Sequence, residues 1–294
     1  MRIRIVALAA IMTALSLPAA AGDSPFGYIY TTDTHPQGKW EFEQWVTRRH
    51  DQSTGSYDLW QLRSEIEYGV RDNLQTAVYL NYGRVRAAGN QPGGTTGPGA
   101  FVSDSADPNS PYRRTFVESV SNEWIWRILS PYKDAIGLAL YIEPSIGENK
   151  RELEGKVILH TNFFDDRLVW AANLSAAMEK ENFHGEWEKE SEVEFTTGLA
   201  WRFAPHWHAG LEYRNHRNYA GHGFSDSKRE YAANFLGPSL HYAQAAWWMT
   251  VTFLKQLGNA RAYNAGGAGD IVDGRFYGEH HERSELRLRV GVPF

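Results

Sequence analysis

The sequence contains no cysteine, which excludes disulfide stapling and thiol chemistry altogether. It is also poor in long apolar runs. Mean hydropathy is −0.50, and after Leu17 no stretch approaches the ~18 uninterrupted apolar residues that mark a membrane-spanning helix. Nor is there an excess of positive charge. The 30 Lys and Arg stand against 35 Asp and Glu, a formal net charge of −5. A chain of that balance offers no basic footprint for nucleic acid. These absences remove disulfide-rich miniature scaffolds, helical membrane spans and nucleic-acid binding.

Aromatic residues, by contrast, are abundant at 14 %, with 11 tryptophans among 294 residues. The first residues read as an export signal. Arg2 and Arg4 form a basic start, Ile5 to Leu17 an apolar run, and Pro18 followed by Ala19-Ala20-Ala21 a small-residue cleavage site after Ala21. The apolar run falls short of the ~20 residues a helical anchor needs. Its removal takes Arg2 and Arg4 with it and deepens the formal charge from −5 to −7. Residues 22–37, with the turn formers Asp23, Pro25, Gly27 and Pro36, read as a periplasmic lead-in, and residues 38–294 as one β domain.

Within that domain apolar residues recur at every second position. Trp60, Leu62, Ser64, Ile66, Tyr68 and Val70 alternate with Gln61, Arg63, Glu65 and Glu67. Leu74, Thr76, Val78, Leu80 and Tyr82 do the same, as do Leu168, Trp170, Ala172, Leu174, Ala176 and Met178. A period of two is that of a strand, whose side chains point alternately to opposite faces. About twelve such segments can be placed, each near the ~9–11 residues of a tilted membrane strand. Their connections alternate between tight turns (71–73, 165–166, 204–206) and longer loops (86–112, 179–190, 215–229, 258–281), with 147–150 the short outer member. Trp40, Tyr68, Trp126, Phe163, Trp170, Trp201, Phe203, Trp207, Tyr242, Trp247 and Phe294 cluster at the tight-turn ends, and Tyr57, Phe116 and Tyr213 at the loop ends. Pro238 lacks an amide hydrogen and suggests a bulge or weakened pairing in its strand.

The final segment is the most regular. Leu286, Leu288, Val290, Val292 and the terminal Phe294 share one face; Glu285, Arg287, Arg289 and Gly291 share the other. This pattern resembles the carboxyl-terminal assembly signal of bacterial outer-membrane β-barrels, which ends in Phe after alternate apolar residues. The resemblance implies an antiparallel, closed, up-and-down transmembrane β-barrel of about twelve strands in a Gram-negative outer membrane, with outer-membrane lipid and the barrel-assembly machinery as partners. The openings PFGYIYTTD and GKWEFEQW, and FLGPSLHYA later, are similar to those of uncharacterised proteobacterial outer-membrane proteins. Some relatives of that broad group resemble transporters of aromatic compounds.

Energy decides which face meets lipid. A Lys or Arg at mid-membrane costs roughly 2–4 kcal/mol, and a whole fold is stable by only about 5–15 kcal/mol. Arg63, Glu65, Glu67, Glu123, Arg127, Glu143, Lys156, Glu192, Glu194, Arg202, Glu212, Arg214, Arg287 and Arg289 are therefore expected to line the lumen. Twelve strands lie between the ~8 that side chains fill and the ~16–18 that leave a water channel. Two readings stay open: a narrow passive pore for small polar or amphipathic solutes, and a closed barrel whose charges pair with one another. A soluble periplasmic β-protein is the third.

No cofactor is implied. Four histidines, His216, His222, His280 and His281, fall on expected loops, and four imidazoles can hold zinc, but a flexible His-His pair is ordinary polar surface. Asp104-Ser105-Ala106-Asp107-Pro108-Asn109 lacks the order of a calcium loop, and Gly93-Gly94-Thr95-Thr96-Gly97 lacks the Lys and helix of a phosphate cradle. Nothing places Ser, a base and an acid together, so no catalytic residues are named and no enzyme is expected.

Overall fold

The computed structural model describes residues 24–97, 107–183, 186–264, 268–278 and 281–294. The expected export signal lies outside them. Eleven long strands follow in order: β1 (Trp40–His50), β2 (Ser56–Arg71), β3 (Leu74–Ala88), β4 (Tyr112–Leu129), β5 (Gly137–Ile146), β6 (Lys150–Phe163), β7 (Leu168–Phe183), β8 (Glu186–Ala204), β9 (Trp207–Ala220), β10 (Arg229–Gln244) and β11 (Trp247–Gln256). Three two-residue strands, β12 (Arg261–Ala262), β13 (Ile271–Val272) and β14 (Arg275–Phe276), precede the last long strand, β15 (Ser284–Pro293). Each long strand pairs antiparallel with its neighbour in sequence, and β15 pairs with both β11 and β1. The sheet is therefore a closed, twelve-stranded, up-and-down barrel without a free edge.

The alternating pattern builds the wall. Ile66, Val78, Leu174 and Leu211 are about half exposed on the outside, while Glu65, Glu67, Tyr79 and Glu212 between them are buried. In β15, Leu286 and Val292 are exposed outside, as is Phe294 just after it, and Leu288 and Val290 are half-buried, against buried Glu285 and Arg289. At the turn end the outer rings touch, with Trp40 and Tyr68 centroids 4.4 Å apart and Trp207 and Tyr242 4.8 Å apart. Phe164, Asp165 and Asp166 all adopt positive φ in the turn before β7, a conformation Asp tolerates better than Phe.

Three local expectations are corrected here. Tyr57 and Phe116 do not sit in an outer aromatic ring. Both are buried inside the loop end with Leu59, Val85 and Ala87. The cause in β4 is an extra residue, since Val117 pairs with Tyr82 and Ser119 with Asn81. A one-residue slip exchanges the faces. The segment 179–190 is not a charged loop: β7 runs to Phe183 and β8 begins at Glu186, pairing Lys180 with Lys189. The strands continue past the ~9–11 residues a membrane needs, so their outer ends carry charge. His216 likewise lies on β9, not in a loop. The expectation for Pro238 holds on one side: the β9 ladder is intact, but the β10–β11 ladder lacks pairs at Gly237 and Pro238, between Leu236↔Lys255 and Ser239↔Thr252.

Candidate functional site

A further correction concerns residues 24–36, part of the segment 22–37 read above as a periplasmic lead-in. They are threaded into the lumen. Phe26, Tyr28, Ile29, Thr31, Thr32, Thr34 and His35 are all buried. The segment enters beside β11, where Thr250 Oγ1 donates to the Ser24 carbonyl at 3.1 Å. At its apex the Glu212 carboxylate accepts the amides of Gly27 and Tyr28, each at 2.8 Å, and the Thr252 hydroxyl at 2.7 Å. Arg287 and Arg289 donate to the carbonyls of Gly27 and Phe26. It then returns toward the turn end. Asn173 brackets Tyr30, its Oδ1 taking the amide at 2.7 Å and its Nδ2 giving to the carbonyl at 2.9 Å. Thr32 meets His160, and His35 meets Gln75 and Glu67. The Thr34 hydroxyl closes on the Asp72 carbonyl in the β2–β3 turn.

Two glycines make room for this path. A Cβ on Gly27 would lie 2.6 Å from Thr252 Oγ1, and one on Gly198 would lie 2.7 Å from Ile29 Cδ1. Phe26 and Ile29 fill that space against Val169, Ala171 and Ala200. Each latch on residues 24–35 involves a side chain. Among the described residues, none of the backbone–backbone bonds outside the strands falls on residues 24–35. The segment is a plug held by side chains, not a strand of the sheet.

The plug divides the interior. Toward the turn end lies a cavity of about 1170 Å³ lined by Pro25, Thr31, Asp33 and Thr34 of the plug and by His160 and His241 of the wall. Toward the loop end lies a polar cavity of about 260 Å³, floored by Tyr28 and Tyr30. In the second cavity cations lie on aromatic faces: Arg63 is 3.9 Å from the Tyr79 ring and 4.5 Å from Trp45, Lys156 4.3 Å from Tyr141 and 4.4 Å from Tyr30, and Arg287 3.8 Å from Tyr28. Such stacking holds a guanidinium without neutralising it. Among the described residues, neither Arg63 nor Arg287 has a carboxylate oxygen within the 4.0 Å of an ion pair.

The other sequence-selected residues are placed as follows. Glu194 pairs with Arg214, which reaches Glu285 at 2.9 Å, and Glu192 lies 3.2 Å from His216. Glu123 accepts the Tyr30 hydroxyl at 3.2 Å, and Glu143 accepts those of Tyr141 and Ser145. Arg127 and Arg202 are not in the central lumen. They sit at the turn-end rim, donating to the carbonyls of Asp72 and Asp165. Of the four histidines, two meet. His216 Nδ1 is 2.8 Å from His281 Nε2, His222 faces the Glu179 carbonyl, and His280 is outside the described residues.

The last loop also turns inward. Phe276 stacks on Tyr231 at 3.8 Å and shares a buried cluster with Tyr28 and Phe235. Gln256 fixes it by donating to the carbonyls of Phe276 and Glu282. Sequence reasoning missed the plug and the inner aromatics Trp45, Tyr79 and Tyr141. The signal for the plug was present: PFGYIYTTD carries no charge before Asp33, and a lead-in destined for water has no use for Phe26, Tyr28, Ile29 and Tyr30 together.

A closed barrel with an apolar outside, a charged inside and aromatic rings at its turn end is an outer-membrane β-barrel. The chain belongs to the family of unknown function DUF6662, whose match spans residues 18–294. Comparison with curated proteins finds no match. Among solved structures, the COG4313 outer membrane channel from Pseudomonas putida F1 is similar over 90 % of this chain and 98 % of that one, at 10 % identity and a TM-score of 0.59. The NanC porin is similar over 86 % of this chain and 98 % of that one, at 10 % identity and a TM-score of 0.49. At 10 % identity the likeness to the COG4313 channel is one of fold alone.

Proposed function

We propose that this barrel is a narrow passive channel for small polar or amphipathic solutes bearing an anionic group, gated from the periplasmic side by its amino-terminal plug. The observation that carries the reading is the division of one lumen into two cavities by a segment bonded only through side chains. Withdrawal of that segment breaks no sheet ladder, so the closed and open states differ by a limited set of hydrogen bonds, each worth about 0.5–1.5 kcal/mol net, and by the burial of Phe26, Tyr28 and Ile29. The outer cavity, near the lower bound of ~300 Å³ for ligand pockets, presents Arg63 and Arg287 beside the rings of Tyr28, Trp45 and Tyr79. Two guanidiniums without carboxylate partners favour an anion, and the rings favour a flat apolar portion. Export with cleavage after Ala21 would leave Gly22 two residues ahead of the plug.

Planar bilayers test this. Purified wild-type protein gives small or rare current steps, whereas a variant lacking residues 24–34 gives larger, frequent ones. Absence of steps from both would remove the channel and leave a closed barrel that acts structurally or through its outer loops. That alternative is favoured by the paired charges of Glu194, Arg214 and Glu285.

A further inference from the structure

On the inner face of β1 and β2, two rungs set like charges directly opposite: Glu41 faces Glu67, and Glu43 faces Glu65. Like charges across a rung are destabilising, and all four side chains are buried. Three have partners. Glu41 accepts the Trp248 indole at 2.8 Å, and Glu43 accepts the Trp45 indole at 2.5 Å and Arg289 at 3.0 and 3.2 Å. Glu67 takes His35 of the plug and the Gln75 amide. Glu65 has none of these. It is 1 % exposed, and among the described residues no side chain bonds to it and its Oε2 has no hydrogen-bond partner. Oxygens of Glu43, Glu65 and Glu67 lie within 4.8 Å of one another, and Glu67 also belongs to a second such group with His35 and Glu41.

A buried carboxylate with no donor is costly, and three that converge cannot all ionise without a compensating cation. Arg289 bonds only Glu43 among them. The geometry points to a divalent metal-ion site on Glu43, Glu65 and Glu67, of the hard, oxygen-preferring kind that Ca²⁺ and Mn²⁺ represent. The cation supplies the partner that Glu65 Oε2 lacks and converts the opposed rung from repulsion to attraction. Because Glu67 also holds His35, the ion ties the wall to the plug. The site exists whether or not the barrel conducts, so its failure leaves the channel reading standing, and the reverse also holds.

The test is Mn²⁺ binding to the metal-stripped, full-length barrel in detergent, counted by loss of the free-ion electron paramagnetic resonance signal. One Mn²⁺ per barrel is expected, displaced by Ca²⁺. Glu65→Gln, which keeps shape and removes charge, weakens binding roughly tenfold or more, while Asp107→Asn, on an exposed loop, leaves it unchanged. Glu65→Asp, which withdraws the oxygens by one methylene, weakens it likewise and serves if the amide variant fails to fold, as judged by heat-dependent gel mobility. No stoichiometric Mn²⁺ in the wild type, or equal binding by the Glu65 variants, overturns the site and leaves the carboxylates sharing protons.

Discussion

Glu212 does more than neutralise charge in the lumen. Its two oxygens take the paired amides at the tip of the plug and the Thr252 hydroxyl. Glu212→Ala removes both acceptor oxygens and leaves two buried amides unpaired, each costing about 1–3 kcal/mol. The cost falls on the plugged state alone, so the variant spends more time open, measured as a rise in open probability in planar bilayers. Arg63 acts on a different quantity, and Arg287 on both, because it also holds the Gly27 carbonyl of the plug. The double variant Arg63→Ser, Arg287→Ser removes both unpaired guanidiniums, and the reversal potential under a salt gradient shifts toward cations. An unchanged reversal potential would remove these residues from the selectivity path.

At the scale of the element, the plug and the wall respond to different changes. Gly27→Leu places a side chain where Thr252 already stands, which drives the tip out while leaving every strand register intact. Expected outcomes are protease cleavage within residues 24–37 and a gel mobility still characteristic of a folded barrel. On β7, Leu174 faces outward and Ser175 inward. Leu174→Arg therefore costs roughly 2–4 kcal/mol and lowers the denaturant midpoint. The wall was readable from residues such as these because a period of two reports which face is apolar. The slip at Val117 to Ser119 was not readable, since a bulge adds one residue without altering composition. Trp45 interrupts the alternation of β1 because it is an inward ring on which Arg63 and Arg289 stack. The plug escaped because a segment bonded through distant side chains has no period of its own; its partners lie 128 to 263 residues away for Thr32 and Phe26.

The whole molecule is a cylinder whose enclosed ions are tolerable only while it is shut. β15 supplies the closing pair of ladders, to β1 and to β11, and Phe294 exchanges hydrogen bonds with Trp40 across the join. The final ten or so residues are thus the last stave of the cask, and nothing earlier in the chain can substitute for them. Without that stave, β1 and β11 become two raw margins, and Glu43 loses Arg289 just as Arg214 loses Glu285. A polypeptide stopped before Ser284 has all but one of its long strands yet no inside and no outside, and in cells it should be found degraded in the periplasm, with none recovered in the outer membrane.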